Sequence, residues 1–439
     1  MEEDLTEIDP NQKTYKQYLF FWSGQLFSLF GSNVISFVIM WWLTVITGNE
    51  IIVTLAYFFN FVPLVVLTPI AGVLADKFSR KKIILVADSL QAFFTFLLVI
   101  AFFFNLETVW FAILINGIRG ICQAFHQPTA NAIIPSMVPQ KKLTRINGIN
   151  FLFTGVVQLT AQVAAGFLWE ILGPNNISLM LMIDVLTFFI ALIPLLIVTI
   201  PQPGEVGEKE SFTFLKDFKE GIATLRFIPG LVIILFLAML VNFLIKPLDT
   251  LLTLFIYEYH NGDALFYSLV GAVVQFGMII GAIIVSIKEE WNNKIKWMFG
   301  GIIIAMGGFS FMGIAPPGAF IWIVSGGIIF ALFIPIINTL FQTIMQSLVP
   351  KDKMGRVSSI ANFLSMLISP LGIIISGPLG ALLGIPILYF ICGLIGIIIT
   401  LLTWFFSGIR HINYEKLLEE KNNKNSKEIE KGNSNRSES

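Results

Sequence analysis

Residues 51–104 read IIVTLAYFFNFVPLVVLTPIAGVLADKFSRKKIILVADSLQAFFTFLLVIAFFF, two long apolar runs joined by a short charged loop. Each run is about 20 residues long, the length that an α-helix needs to cross the roughly 30 Å hydrocarbon core of a bilayer. Similar runs recur along the chain as far as Phe406. The sequence therefore predicts a helical protein that crosses a membrane many times.

The composition excludes most classes of soluble protein. Of the 439 residues, 56% are hydrophobic and only 13% are charged, and the mean hydropathy is +0.81. A water-soluble protein carries roughly 25% charged residues, because its surface must be solvated. Twelve spans would use roughly 240 to 300 residues and leave only loops, one linker and two tails. We therefore expect no soluble catalytic domain and predict that the chain is not an enzyme.

The sequence gives no sign of a cofactor or metal site, and we expect neither. It contains no G-x-x-x-x-G-K-[ST] loop to cradle ATP phosphates, so ATP hydrolysis by this chain is not expected. The three histidines, His126, His260 and His411, are too scattered for the ligand spacing of zinc. A formal net charge of zero gives no reason to expect a nucleic acid as partner.

The apolar runs predict an all-α integral membrane protein with twelve transmembrane helices in two six-helix bundles. The first six helices are predicted at residues 17–46, 51–74, 83–104, 109–137, 147–172 and 177–200. The second six are predicted at residues 230–257, 265–287, 295–315, 318–348, 358–383 and 385–408. The resulting organisation is an N-terminal segment at 1–16, a bundle at 17–200, a linker at 201–229, a second bundle at 230–408 and a disordered tail at 409–439.

Positive charge is confined to every second connection. Lysine and arginine occur in the linker and in the loops after the second, fourth, eighth and tenth helices, for example at Lys77, Lys142, Lys288 and Lys353. The loops after the odd-numbered helices contain neither residue type. Because positively charged loops stay in the cytoplasm, the sequence predicts a multi-pass protein of the cell (plasma) membrane whose linker and two termini are all cytoplasmic.

An internal repeat relates the two halves of the chain. Residues 138–149 (VPQKKLTRINGI) align with residues 349–360 (VPKDKMGRVSSI), and the same offset pairs Gly166 with Gly377. Six spans per half is an even number, so both halves enter the membrane from the same side. This predicts a parallel repeat about an axis along the membrane normal, as in two-bundle secondary transporters.

The loop between the second and third helices reads GVLADKFSRKK at residues 72–82 and resembles the motif G-x-L-a-D-r-x-g-R-k of the major facilitator superfamily. Ser79 stands where the family usually has glycine, and a turn accommodates serine. The run RGICQAFHQPTANAIIP at residues 119–135 is similar to the macrolide-efflux branch of that superfamily. The resemblance implies alternating access between two bundles and a loop that latches them. The residues of this conformational switch are Gly72, Asp76, Arg80 and Lys81.

Charged side chains inside the predicted helices mark candidate sites, because an unneeded charge there costs at least about 2.5 kcal/mol. Arg119 matches the family's helix-4 arginine, which the resemblance implicates in tuning a proton-carrying carboxylate. Lys246 and Asp249 are one turn apart on helix 7 and can pair. Asp88 and Asp184 lie on helices that are peripheral in the family, so structural hydrogen bonding is an alternative role for both. The candidates for proton coupling are Arg119, Asp249, Asp88, Asp184 and His126.

Polar stripes along several helices predict a cavity between the bundles. For each amide taken singly, hydrogen bonding between helices is an alternative role. The substrate-cavity candidates are Gln25, Asn116, Gln123, Gln158, Asn242, Lys246, Asn338, Gln342 and Asn362.

Together these features predict a proton-coupled secondary exporter of hydrophobic or amphipathic small molecules, as the resemblance to macrolide efflux implies. The expected partners are a small-molecule substrate, protons and membrane lipid, and the chain is expected to function as a monomer. Two alternatives remain open at this stage. One is an exporter of a siderophore, metabolite or lipid on the same fold, and the other is a membrane sensor that does not transport.

Overall fold

The computed structural model describes residues 11–201, 225, 228–288, 291–349 and 354–412. The predicted disordered tail from residue 413 and almost all of the predicted linker lie outside the described residues. The helices of the first half are α1 (Gln12–Thr47), α2 (Glu50–Lys77), α3 (Arg80–Phe103), α4 (Val109–Met137), α5 (Gln140–Leu172) and α6 (Ile177–Ile197). Those of the second half are α7 (Leu231–Leu254), α8 (Ala264–Ile287), α9 (Lys294–Gly313), α10 (Phe320–Leu348), α11a (Met354–Met366), α11b (Ser369–Leu383) and α12 (Ile385–Phe406).

Within the described ranges these helices contain eleven stretches that are long and apolar enough to cross a membrane. The helix that does not reach this threshold is α4, which carries Asn116, Arg119, Gln123 and His126 in its middle. It still has 29 residues and is about 44 Å long at 1.5 Å per residue. The predicted all-helical fold is therefore confirmed, and α4 is a span whose polar residues must be satisfied by its neighbours.

The helices pack as two groups of six. In the first group α1 packs against α5 and α6, α2 against α4, and α3 against α4 and α6. In the second group α10 packs against α8 and α9, α12 against α7 and α9, and α11b against α7. The main contacts between the groups are α5 with α8 and α2 with α11b. The sequence repeat places α5 on α11, so these two contacts are equivalent under it.

Helix α11 differs from its prediction as one continuous span. It is interrupted at Leu367 and Ile368, directly before Ser369 and Pro370. Proline has no backbone N–H to continue the α-helical hydrogen bonds, and its ring clashes with the preceding turn. The carbonyl of Ser365 at this break accepts a hydrogen bond from Asn242 Nδ2 of α7 at 3.2 Å.

Two faces of the molecule are distinguished by the loops they carry. The terminal face holds the start of α1 at Gln12 and the last described residue, Ile412, and the distal face holds the turns at residues 48–49, 104–108, 173–176 and 260–263. Side-chain caps keep the distal turns short. Asn49 accepts hydrogen bonds from the first turn of α2, and Asp263 accepts one from Phe266 N at the start of α8.

The two halves meet between the distal face and the middle of the molecule. Thr44 Oγ1 of α1 donates to Thr253 Oγ1 of α7 at 2.8 Å, and the ring of Trp41 stacks on Tyr267 at 5.4 Å. Toward the terminal face, a Cβ added at Gly72 or Gly148 would meet only open space. The halves are therefore closed at the distal face and separated by a cleft that opens toward the terminal face.

Candidate functional site

A buried ion pair lies inside the first bundle between α4 and α6. Arg119 Nη1 lies 2.6 Å from Asp184 Oδ2, and the two residues are 0% and 3% exposed. The same Nη1 donates to Thr95 Oγ1 of α3 at 2.7 Å, and Nη2 donates to the Ser32 carbonyl of α1 at 3.3 Å. Asp184 also accepts from Ser32 Oγ and Thr95 Oγ1, each at 3.0 Å. Both charges are therefore compensated, and four helices contribute to the compensation.

The close approach of α1 and α6 makes this network possible. A side-chain carbon placed on Gly31 would overlap the Thr187 side chain and the Asp184 backbone. Only glycine lets the two helices come this near, as small residues do at many membrane helix contacts. Its neighbour Ser32 is thereby brought within hydrogen-bonding distance of Asp184.

A second polar cluster lies between α1, α3 and α4. His126 Nε2 is 2.9 Å from Gln25 Oε1 and 3.6 Å from Asp88 Oδ1. Since both neighbours of Nε2 are oxygen acceptors, this nitrogen carries the proton in the arrangement observed. Asp88 is buried, whereas the His126 side chain is 24% exposed. A partly exposed imidazole that touches a buried carboxylate can pass a proton between that carboxylate and the cleft.

The two clusters are stacked along the same three helices. Their members are seven residues apart, which is two helical turns or about 10 Å. The corresponding pairs are Gln25 and Ser32 on α1, Asp88 and Thr95 on α3, and His126 and Arg119 on α4. Gln91, one turn beyond Asp88, donates to Ser32 Oγ at 2.8 Å and joins the two layers.

The structure divides the polar face that the sequence suggested for α4. Arg119 is enclosed within the bundle, and Asn116 is also buried, with its Nδ2 donating to the Ala56 carbonyl of α2 at 2.9 Å. Asn60 of α2 donates to the Asn116 carbonyl at 3.0 Å. Gln123 and His126 are partly exposed. Asn116 thus joins α2 to α4 instead of lining the cleft.

On α7, Lys246 Nζ lies 2.7 Å from Asp249 Oδ2, so the two residues form a pair within one helix. The side chains are 12% and 34% exposed, respectively. Lys246 Nζ also lies 4.8 Å from the centre of the Phe61 ring, which belongs to α2 of the other half. This pair is therefore at the boundary between the two halves.

The remaining cavity candidates are spread over α5, α10 and α11a. Gln158 and Gln342 are partly exposed, and Asn338 and Asn362 are exposed. Asn242 is engaged with the break in α11. None of the contacts described above links these residues to the clusters of the first bundle.

The switch loop braces the first bundle in this conformation. Arg80 Nη1 donates to the Ala132 carbonyl of α4 at 3.0 Å. Lys81 Nζ donates to the carbonyls of Leu196 and Val198, at 2.7 and 2.8 Å. Gly72 has open space beside it, and the side chain of Asp76 lies outside what the structure describes. The described contacts of the loop are all with its own half.

Sequence reasoning did not single out Asn60, Gln91 or Thr95. Each is a polar residue inside an apolar run, and Thr95 follows Asp88 by seven residues. That spacing places Asp88 and Thr95 on one side of α3, and comparison with the seven-residue spacings of α1 and α4 would have related the three helices.

Comparison with known proteins agrees with this architecture. The Major Facilitator Superfamily model matches residues 21–373. Macrolide efflux protein A of Streptococcus pyogenes is 28% identical over 392 residues, which cover 89% of this chain and 96% of the relative. Macrolide efflux protein A of Enterococcus faecalis is 29% identical over 314 residues, covering 72% and 96%.

Among solved structures, a bacterial homologue of the iron transporter ferroportin in an inward-facing state superimposes with a TM-score of 0.66. It is 17% identical in sequence, and the match covers 89% of this chain and 98% of that structure. At this identity the likeness concerns the fold alone. Together with the match of the family model over most of its length, it shows that the chain belongs to the Major Facilitator Superfamily and is a multi-pass membrane transporter of small molecules, not an enzyme.

Proposed function

We propose that the protein is a proton-coupled exporter of hydrophobic or amphipathic small molecules that works by alternating access. The likeness to two macrolide efflux proteins supports the substrate class and the direction of transport. The contact of His126 with Asp88 supports proton coupling, because it sets a partly exposed imidazole against a buried carboxylate. This contact is the single observation on which the proposal chiefly depends.

The proton site in this proposal is the cluster of Gln25, Asp88 and His126. When the cleft is open to the terminal face, the exposed edge of His126 exchanges protons with water. A proton moved onto Asp88 removes the only charge of that carboxylate, and burial of the neutral form costs less than burial of the ion. The protonation state of this cluster thereby biases the first bundle between two conformations.

Arg119 has a positioning role in this scheme. The sequence suggested that it tunes a proton-carrying carboxylate, and the carboxylate that it contacts is that of Asp184. Its guanidinium joins α1, α3, α4 and α6 two turns away from the proton site. We therefore assign Arg119 and Asp184 to holding Asp88 and His126 in register, with Gln91 linking the layers.

The terminal face is cytoplasmic in this proposal. The lysine and arginine residues of the loops lie there, and such loops are retained in the cytoplasm. The cleft of the structure is then open to the cytoplasm, which is the side from which an exporter collects its substrate. The two halves rock as units about the contacts of α2 with α11b and of α5 with α8, and one chain is sufficient for the cycle.

Flux in proteoliposomes tests the proposal. Purified protein is reconstituted, and accumulation of a radiolabelled macrolide is followed with an imposed proton gradient and again after nigericin collapses it. We expect accumulation only with the gradient. Accumulation at an unchanged rate without the gradient would contradict proton coupling, and no movement of any hydrophobic compound in a panel would contradict export of this class.

A further inference from the structure

The Lys246–Asp249 pair has features of a binding site that is occupied by part of the protein itself. The two side chains form an ion pair at 2.7 Å, yet the Asp249 side chain keeps a third of its surface exposed. Lys246 is the more enclosed partner, at 12% exposure. The carboxylate is thus the group of the pair that a molecule in the cleft reaches first.

An aromatic surface faces this pair from the other half of the protein. Lys246 Nζ lies 4.8 Å from the centre of the Phe61 ring, a distance at which a cation is attracted to the ring face. Tyr57, one turn away on α2, stacks on Phe61 at 5.9 Å. Phe61 and Tyr57 are both partly exposed. The site therefore combines a carboxylate with aromatic faces, the combination that proteins use to bind organic cations.

The depth of the site suits a substrate inside the membrane. Phe61 is eleven residues from Glu50, the first residue of α2 at the distal face, so it lies about 16 Å along the helix axis. That is roughly half the thickness of the hydrocarbon core. Substrate sites of two-bundle transporters lie near this level, between the repeats.

We propose that Asp249, Phe61 and Tyr57 recognise the cationic group of an amphipathic substrate, and that Lys246 is a built-in competitor which this group displaces. The inference rests on the proposed function and specifies its substrate class. Lysine suits the competing role, because its ammonium is a point charge on a flexible stem of four carbons. A bound substrate cation takes over the contacts with Asp249 and Phe61, and Lys246 turns into the water of the cleft.

Displacement of Lys246 also has a mechanical consequence. Its contact with Phe61 joins α7 to α2 and so joins the two halves near the middle of the molecule. A substrate that replaces the ammonium exchanges a covalently anchored link for one that can leave. Substrate binding therefore loosens one of the contacts that hold the distal side closed.

Two fluorescent probes that differ only in charge test the proposal. One is 2-(dansylamino)ethyl-trimethylammonium, a permanent cation, and the other is N-(3,3-dimethylbutyl)dansylamide, its neutral carbon isostere. Binding is measured on the full chain in nanodiscs without a proton gradient. Asp249→Asn should weaken binding of the cation at least about tenfold, because a charge-assisted contact is lost. Binding of the neutral probe should change less than about twofold, by the same conversion of energy to affinity.

The lysine variant gives the opposite sign. Lys246→Met should tighten binding of the cation several-fold, because the competitor is gone, and leave the neutral probe unchanged. The matched controls Glu170→Gln and Lys296→Met change exposed residues away from the pair and should shift neither probe. Equal shifts for both probes, no shift in Asp249→Asn, or weaker cation binding in Lys246→Met would overturn the proposal.

A measurement on the native chain decides the matter even if a variant does not fold. Acetic anhydride is applied in short pulses, and acetylation of Lys246 is compared with that of Lys296 by mass spectrometry. The cationic probe should raise the modification of Lys246, because it frees Nζ from Asp249, and the neutral probe should not. No increase with the cation would overturn the proposal.

These experiments separate the inference from the proposed function. Proton-driven flux without any charge preference between the probes leaves the exporter assignment intact and removes this site. The expected probe behaviour together with flux that ignores the proton gradient does the reverse.

Discussion

Arg119 and Asp184 are 65 positions apart in the chain, yet their side chains meet at 2.6 Å in the interior of the first bundle, where both are buried. A charge at this depth is tolerated only when it is paired and hydrogen-bonded. Arg119 meets that requirement through a fork whose nitrogens reach Asp184, Thr95 and Ser32 at once. The pair is thus a fixed point that holds four helices together.

The first prediction follows from this pair. Arg119→Ala leaves the Asp184 carboxylate buried without its cation, which costs about 3 kcal/mol or more. We expect a lower unfolding temperature in detergent and partial recovery when Asp184→Leu is added to an Arg119→Met background. Arg119→Lys should recover less than native stability, because lysine lacks the planar fork. Equal unfolding temperatures for the native chain and Arg119→Ala, with Glu170→Gln as the surface control, would show that the pair is not structural.

The second prediction concerns the contact of α1 with α6. Gly31→Ala places a methyl group against Thr187 and the Asp184 backbone, so the helices must separate and Ser32 must move away from Asp184. Gly148→Ala is the matched control, because a methyl group there enters open space and alanine is a better helix former by about 1 kcal/mol. We expect the first change to lower the unfolding temperature and the second to leave it equal or higher. Equal losses in both variants would show that close approach at Gly31 is unimportant.

The third prediction is a pH dependence at the distal face. His260 lies just outside the span that ends at Tyr259, and its Nδ1 accepts a hydrogen bond from Gly318 N at 3.1 Å. Nδ1 is therefore unprotonated, and burial lowers the pKa of His260 from its ordinary value of 6.5. Since the unfolded chain binds this proton more readily, the contribution of His260 to stability is complete above pH 6.5 and declines as the pH falls below it.

Unfolding temperatures measured between pH 8 and pH 5 check the contribution of His260. The native chain should lose stability more steeply below pH 6.5 than His260→Asn, which cannot take up a proton. His411→Asn, on the terminal side, is the control and should retain the native slope. Parallel curves for the native chain and His260→Asn would contradict the prediction.

The fourth prediction concerns orientation. Cysteine introduced at Asn49 or Asn176, in the distal turns, should react with an impermeant maleimide added to intact cells, and cysteine at Ser79 should not. The native Cys122 and Cys392 are both buried, so the background labelling is low. Labelling at Ser79 with protection at Asn49 would invert the topology and with it the assignment of the cleft to the cytoplasm.

The sequence predicted those features that depend on local periodicity. Span lengths follow from apolar runs, and Lys246 and Asp249 could be paired in advance because they are one turn apart on the same helix. The contact of Arg119 with Asp184 could not be predicted, since it depends on how α4 and α6 pack. The break in α11 was also missed. Pro370 is visible in the sequence, but prolines inside α2, α4 and α6 do not interrupt those helices.

The candidate site shows the same division. A stripe of polar residues predicts that α4 has polar neighbours, but it does not tell which residue faces the cleft and which is enclosed. Asn116 and Arg119 are buried by α2, α3 and α6, whereas His126 is close enough to the end of α4 to keep part of its ring exposed. The partners of a polar residue in a membrane helix are set by packing between helices, and packing is not encoded at any fixed spacing.

The central claim is that Asp88 and His126 carry the proton that drives export. Its most direct test is the movement of protons when a macrolide moves down its own gradient through reconstituted protein, followed with pyranine trapped inside the liposomes. The native chain and Glu170→Gln should move protons against the substrate flow. Asp88→Asn should still exchange substrate but move no protons, because an amide cannot take one up. Substrate-dependent proton movement of native size in Asp88→Asn would contradict the account.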